Sequence, residues 1–316
     1  MRTPIDNHPS YGGPGWRSRP ERHSDDVARG ELWRPCGFDS ETARLREVLI
    51  SWPSDALTAI DDPAEELMLE AIDLPAIRRQ TESIAALYES LGVVVHIARP
   101  ATPPPPNYLF MRDLFFMTTE GAVVARPAAP QRAREPRFAA EALARIGIPI
   151  VATIRGAGLF EGADALWFNA KNVLIGVARR TNNEATRQLS PILDEIGARL
   201  TAIPLPNGVQ HLLGVVNFLA GDLAAVRSAK APSELHTFLD EHGVEQVSLE
   251  PSDEVDRLGA MNFVTIAPRE IVMPAACPRT REIYQRYGIE CHEVDVSEYL
   301  KAAGGPGCLT GILRRG

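Results

Sequence analysis

The feature that most restricts the fold is a pattern of apolar run, helix, glycine and second apolar run that recurs five times along the chain. The first copy opens with REVLISWP (46–53), continues through the amphipathic AIRRQTESIAALYESLG and ends in VVVHIA. The second runs from GAVVARP (121–127) through EPRFAAEALARIG to IPIVATI, and the third from NVLIGVARR (172–180) through TNNEATRQLSPILDEIG to ARLTAIPL. LAAVRS, SELHTFLDEHG and EQVSLEP form the fourth, and EIVMPAA, PRTREIYQRYG and IECHEVDV the fifth. Short apolar runs bounded by Pro or charged turns read as buried strands. A glycine just past each periodic stretch is a helix stop.

Units of roughly 45 to 60 residues are too long and irregular for a solenoid. They suggest an α/β fold closed into a ring, with helices outside and the loops of every unit gathered over one central opening. A doubly wound sheet shares the alternation of strand and helix; five helices ending in Gly at similar phase favour the repeat. Residues 1–30 are rich in Pro, Gly, Arg, Ser and Asp and lack apolar periodicity, so they read as a flexible N-terminal tail before a single domain over 31–316.

Composition narrows the partners. A net charge of −8 without a Lys/Arg cluster argues against nucleic acid. Cys36, Cys277, Cys291 and Cys308 are scattered, with no CxxC and no His at ligand spacing, so no metal site is expected. The N-terminus has no signal-like apolar core and no run reaches membrane-spanning length. The reading is a cytoplasmic protein with reduced thiols and no membrane partner.

Loops converging on one opening direct attention to the charged residues beside the strands. Asp113 lies in PNYLFMRDLFFMT, an apolar setting in which an acid needs a partner. Either it forms a structural ion pair, with Arg112 the first candidate, or it awaits a cationic ligand. Glu161 and Asp164 enclose Gly162 in GLFEGADALWFN, and His211 precedes an apolar stretch in PNGVQHLLGVVNFLAG. Cys308 sits in GGPGCLTGILRRG, on glycines that let backbone approach a ligand closely. A thiol, a histidine and buried carboxylates are the parts for nucleophilic attack on a cationic carbon, and guanidinium is the obvious substrate of that kind.

On these residues the chain, from about Cys36 to its end, resembles the guanidine-modifying or pentein enzymes, which include arginine deiminase, the arginine amidinotransferases and dimethylarginine dimethylaminohydrolase. FMRDLFF looks like the family's F-x-R-D segment, and FEGAD resembles its E-G-G-D segment with Ala163 for the second Gly. QHLLG is similar to its catalytic histidine segment and GGPGCLT to its nucleophile segment, while RTNNEA looks especially like the dimethylaminohydrolase branch. The resemblance implies a five-bladed β/α propeller. It implies Cys308 as nucleophile, His211 as acid and base, and Glu161 as the acid that supports His211 and binds substrate. Asp113 and Asp164 become substrate-binding carboxylates, and Arg132 and Arg180 become partners of a substrate α-carboxylate. Two positions depart from the wider family: Leu213 stands where deiminases and amidinotransferases read the Asp of His-x-Asp, and Ala303 where deiminases carry Arg. Loss of that Asp, which the dimethylaminohydrolase branch shares, makes room for alkyl groups.

The implied activity is cofactor-free hydrolysis of a small-molecule guanidine, N-substituted as in methylated arginine, through a covalent thiouronium on Cys308 to a citrulline-like product. Amidinotransfer to an amine and arginine deimination stay open as alternatives, as does self-association. A non-catalytic propeller, such as a translation initiation factor, shares the fold without this chemistry.

Overall fold

The computed structural model describes residues 5–316; residues 1–4 of the expected tail lie outside the described residues. The strands in chain order are Leu45–Ser51 (β1), Val94–Ala98 (β2), Phe115–Thr118 (β3), Gly121–Val124 (β4), Ile150–Thr153 (β5), Ala165–Asn169 (β6), Asn172–Val177 (β7), Arg199–Pro204 (β8), Val216–Ala220 (β9), Leu223–Arg227 (β10), Glu245–Leu249 (β11), Val264–Ala267 (β12), Glu270–Pro274 (β13), Glu290–Val294 (β14) and Gly311–Arg315 (β15). They form five three-stranded sheets, β15-β1-β2, β3-β4-β5, β6-β7-β8, β9-β10-β11 and β12-β13-β14.

Every strand pair expected from the repeat is present, but each unit holds one strand more. In four sheets an antiparallel hairpin, such as Phe115↔Val124 in β3/β4, precedes the helix and the parallel third strand. In the first sheet β15 supplies the extra strand, running antiparallel to β1. These strands offered no alternation, since β3 and β9 are buried at every residue and β6 at all but its last; β4, equally buried, was legible from the Pro-bounded run GAVVARP. Without a solvated face there is no alternation to read.

The helices Leu74–Ser90, Glu135–Ile146, Asn183–Glu195, Ser233–Glu241 and Pro278–Arg286 connect the second and third strands of the sheets. Each is followed by a glycine in the left-handed region (Gly92, Gly147, Gly197, Gly243 and Gly288, φ between 66° and 90°), where a side chain would be strained. Within the segment read as a tail, His23–Arg29 forms a helix with Asp26 and Val27 buried, and His23 Nε2 lies 2.9 Å from the Glu120 carbonyl. Val27 is a single apolar anchor, too little to create a pattern.

The sheets touch through their first strands and the turns before them: β15 meets β3, β12 meets β1 and β9, the turn Gly162–Asp164 meets β3, and the turn Leu212–Gly214 meets β6. Residues just ahead of the first strands are therefore gathered together. Among the described residues no helix is long and apolar enough to cross a membrane.

Candidate active site

Asp113 precedes β3, Glu161 precedes β6, His211 precedes β9 and Cys308 precedes β15, each within a few residues. The fifth unit places Asn262 in the same position before β12. One polar side chain from each unit thus enters the same region.

Asn262 brackets the cysteine. Its Nδ2 donates to Cys308 Sγ at 2.8 Å, and its Oδ1 accepts the Cys308 N–H at 3.0 Å. The Gly307 N–H reaches the Asn262 carbonyl at 3.3 Å. This close approach explains the glycines. A Cβ on Gly307 would stand 2.8 Å from Asn262 Oδ1, and one on Gly304 would stand 2.1 Å from the Phe110 ring. Sequence reasoning missed Asn262, an uncharged residue ahead of β12, a strand the repeat did not disclose.

His211 is buried, with Nε2 at 2.8 Å from Glu161 Oε2 and Nδ1 at 3.9 Å from Asp113 Oδ1. Burial opposes its charge, but Asp113, the Glu161 hydrogen bond and Asp164 outweigh burial and raise it to about 9. Conversely, burial would raise Glu161, and the His211 hydrogen bond with the charges of His211, Arg132 and Arg180 holds it low. Burial and the Asp113 charge push the Cys308 thiol up to about 11, against the Asn262 hydrogen bond. Among the described residues Glu161 Oε1 and Asp113 Oδ1 are buried without a hydrogen-bond partner. Buried carboxylate oxygens are normally paired, and Asp113 lines the pocket shared with Cys308 and His211, so its orphan oxygen points to a donor from outside the chain.

One expectation needs correction. Asp113 pairs with Arg132 rather than Arg112, since Nη1 of Arg132 is 2.7 Å from Asp113 Oδ2, whereas Arg112 is bonded to Glu41 at 2.7 and 3.3 Å. Arg132 itself is buried among carboxylates, bonded to Glu135 by Nε and Nη2 and to Asp113 and Glu161 by Nη1. Its donors hold acids in place, and it lines the pocket beside Cys308. Asp164 is bonded within the chain: Oδ2 accepts the Thr181 hydroxyl at 2.6 Å and Oδ1 accepts the Leu212 N–H at 2.9 Å, which positions the His211 turn. Arg180 bonds Glu161 Oε2 at 3.0 Å but stays partly exposed, so it retains donors for a ligand.

Donor atoms of Asp113, Glu161 and His211 lie within 4.8 Å of one another, a spacing a cation can use. Arg132 Nη1 already brings positive charge to both acids, at 2.7 and 3.2 Å. Cys308 and His211 line two spaces, a narrow pocket of about 20 Å³ with Asp113, Arg132 and Arg180, and a groove of about 770 Å³ with Leu213 and Asn262.

Five three-stranded sheets that deliver a cysteine, a histidine and two acids to one pocket define an enzyme of the guanidine-modifying, or pentein, class. The comparisons agree. A family profile described as arginine deiminase matches residues 65–222, half of the 316-residue chain. The chain belongs to this arginine deiminase family. It is 29% identical over 205 residues to the N(G),N(G)-dimethylarginine dimethylaminohydrolase of Pseudomonas aeruginosa, covering 65% of this chain and 76% of that one. The Streptomyces coelicolor protein of the same name is 27% identical over 211 residues, covering 66% and 75%. The solved Pseudomonas aeruginosa DDAH, a mutant complexed with citrulline, superposes with a TM-score of 0.71 at 23% identity over 86% of this chain and all (100%) of that one. An amidinotransferase of saxitoxin biosynthesis from Microseira wollei gives a TM-score of 0.71 at 15% identity, covering 89% and 97%, which speaks to the fold alone.

Proposed function

We propose that this protein hydrolyses N-substituted guanidines, with methylated arginine as the reference substrate, and that its five sheets close into a five-bladed propeller around the pocket. The contacts running from β15 to β3 and from β9 through β12 to β1 support the closure. The observation that carries the activity is Asp113, with a buried, unpartnered Oδ1, lining one pocket with Cys308 and His211, while Glu161, whose Oε1 is also unpartnered, is bonded to His211. A guanidinium is planar and rich in N–H donors, and it satisfies both while its carbon faces the thiol.

Binding the cation also prepares the nucleophile. Part of what raises the Cys308 thiol is the Asp113 charge, which a bound guanidinium neutralises. As the cation enters, the Cys308 thiol gives up its proton to solvent; the thiolate adds to the guanidine carbon, and His211, raised to about 9 and so protonated at neutral pH, gives its proton to the departing amine. A thiouronium on Cys308 remains. Neutral His211 then takes a proton from water, hydroxide adds to the same carbon, the C–S bond breaks, and the ureido product leaves. Side chains and water carry every step.

Mass spectrometry of products from arginine, monomethylarginine and dimethylarginine, with and without an acceptor amine, tests the reading. Citrulline plus methylamine or dimethylamine is expected, with Cys308→Ser folded and inactive. Citrulline formation by Cys308→Ser at the unmodified rate would remove the mechanism. A new guanidine on the acceptor amine would replace hydrolysis by amidinotransfer.

A further inference from the structure

The two spaces beside Cys308 differ in a way that specifies the substrate. The narrow pocket, about 20 Å³, has room for roughly one water beside the residues that hold a guanidine head. The groove, about 770 Å³, lies within the range of roughly 300–1,000 Å³ typical of whole small-ligand sites. Its walls combine apolar side chains, Leu213, Leu258 and Met261, with the charged Asp253 and Arg257. Leu213 adjoins the nucleophile: its Cδ2 is 3.2 Å from where a Cβ on Gly307 would stand. With the amino-acid tail of an arginine turned toward Arg180, a methyl or dimethylamine group on the leaving nitrogen would leave nearly all of this space unused.

Where a substituent can go follows from the acids. Asp113 and Glu161 engage N–H groups, so a substituted nitrogen on their side would leave a carboxylate oxygen unpaired in a buried site, which is costly. The substituted nitrogen belongs on the groove side, against Leu213. We propose that the leaving nitrogen of the natural substrate carries a substituent of about four or more heavy atoms, apolar next to the nitrogen and polar at its far end, seated in the Leu213–Met261–Arg257 groove. This rests on the hydrolase reading of the same pocket. The step balances: the S–C bond forms, the bond from that carbon to the substituted nitrogen breaks, and the electron pair leaves with nitrogen. Nitrogen takes the His211 proton and departs as the amine, and water later restores the thiolate and yields the ureido compound. Contacts along the groove are remote from the reacting atoms, and their binding energy serves the chemical step.

The test uses the full chain and arginines whose guanidine carries methyl, dimethyl, propyl, 4-hydroxybutyl or 3-carboxypropyl groups. The two longest are expected to exceed dimethylarginine by about tenfold or more in kcat/KM, a difference of about 1.4 kcal/mol. Gly214 borders the groove and nothing among the described residues lies within 4 Å of a Cβ placed on it, so a side chain can start there, and Gly214→Trp is the variant chosen to narrow the groove. That variant is expected to lose the advantage of the long substrates while handling dimethylarginine within about threefold of the unmodified protein. Hydrolysis of the methylated arginines with slower turnover of the long ones would overturn the groove proposal and leave the hydrolase reading standing. No turnover of any of them, with no thiouronium adduct on Cys308 by mass spectrometry, would overturn both. The substrate series on the unmodified protein decides the proposal even if Gly214→Trp fails to fold.

Discussion

At the residue scale the chemistry depends on a thiol that the resting site keeps protonated. Burial and Asp113 raise Cys308 to about 11, so a neutral alkylating reagent such as chloroacetamide should react faster by about tenfold per pH unit from 7 to 10. Chloroacetamidine carries a cation of the shape the acids accept. It should inactivate at pH 7 at least about tenfold faster than chloroacetamide, and Asp113→Asn should erase that difference. Equal rates for the two reagents would show that the acids do not serve a cationic head group. Asn262 acts on the same sulfur at 2.8 Å. A hydrogen bond to a charged group contributes about 1.5–3 kcal/mol. Asn262→Ala should therefore lower kcat by roughly 10–100-fold with little change in KM, and move the alkylation profile to higher pH. An unmoved profile would reduce Asn262 to a packing role. Arg180 is a candidate partner for a substrate carboxylate. Arg180→Ala should raise KM for methylarginine far more than for its decarboxylated analogue; equal increases would assign Arg180 to holding Glu161 alone.

At the scale of elements, the site is made by turns that approach one another too closely for ordinary side chains. Gly307→Ala would put a methyl 2.8 Å from Asn262 Oδ1 and 3.1 Å from the Phe263 carbonyl, so the cysteine turn must shift. A fold that survives with kcat reduced about 100-fold is expected, since displacement of about 1 Å can cost that much. Gly221, in the β9–β10 hairpin, has nothing within 4 Å of a Cβ, and Gly221→Ala should change stability by no more than about 1 kcal/mol with activity intact. Similar kinetics for the two variants would mean that the turn tolerates movement. What the sequence disclosed at this scale follows from what each element shows to water. Ten strands and five Gly-terminated helices were legible because they alternate with polar turns or have a solvated face. The first strand of each sheet was not, since it is buried on both sides. Asp113, Glu161, His211 and Cys308 stood out as reactive groups in apolar or glycine-rich surroundings. Asp164 and Arg132 look alike in sequence whether they face a ligand or a neighbouring loop, and only the fold brings Thr181 and Leu212 to one and Glu135 to the other. Asn262 carries no charge and sits in no glycine cluster, so nothing local marked it.

At the scale of the whole molecule, the sheets must be held in place if five separate units are to keep one pocket to sub-ångström tolerance. Arg315 is the clearest fastener. It ends β15, is 7% exposed, and its Nη1 reaches the Ala43 carbonyl at 2.8 Å and the Thr265 carbonyl of β12 at 2.7 Å. It therefore ties the first sheet to the last, across the seam where β1 and β12 touch. Burial disfavours its charge and lowers it to about 10, so at neutral pH the two carbonyl bonds hold a cation in place against a desolvation cost. Removing the guanidinium strands both carbonyls, and an unsatisfied buried acceptor costs about 1–3 kcal/mol. Arg315→Leu is accordingly expected to lower the stability measured by urea unfolding by about 2–4 kcal/mol, with Arg315→Lys in between, because the shorter lysine side chain brings its ammonium less fully to the position of Nη1. Arg145 supplies the contrast. Its ion pair with Glu141 is at the surface, with the Arg145 side chain 72% exposed, and Arg145→Leu should cost no more than about 0.5 kcal/mol. The activity of Arg315→Leu below its unfolding transition is the sharper measurement. Asp113 precedes β3, which β15 touches, and Asn262 precedes β12, so a loosened seam should misplace Asn262 relative to Cys308 and lower kcat before the protein unfolds. A variant that unfolds at the same urea concentration and turns over at the same rate would show that the sheets are held by their pairwise apolar contacts alone. The pocket would then owe its geometry to the turns and not to the seam.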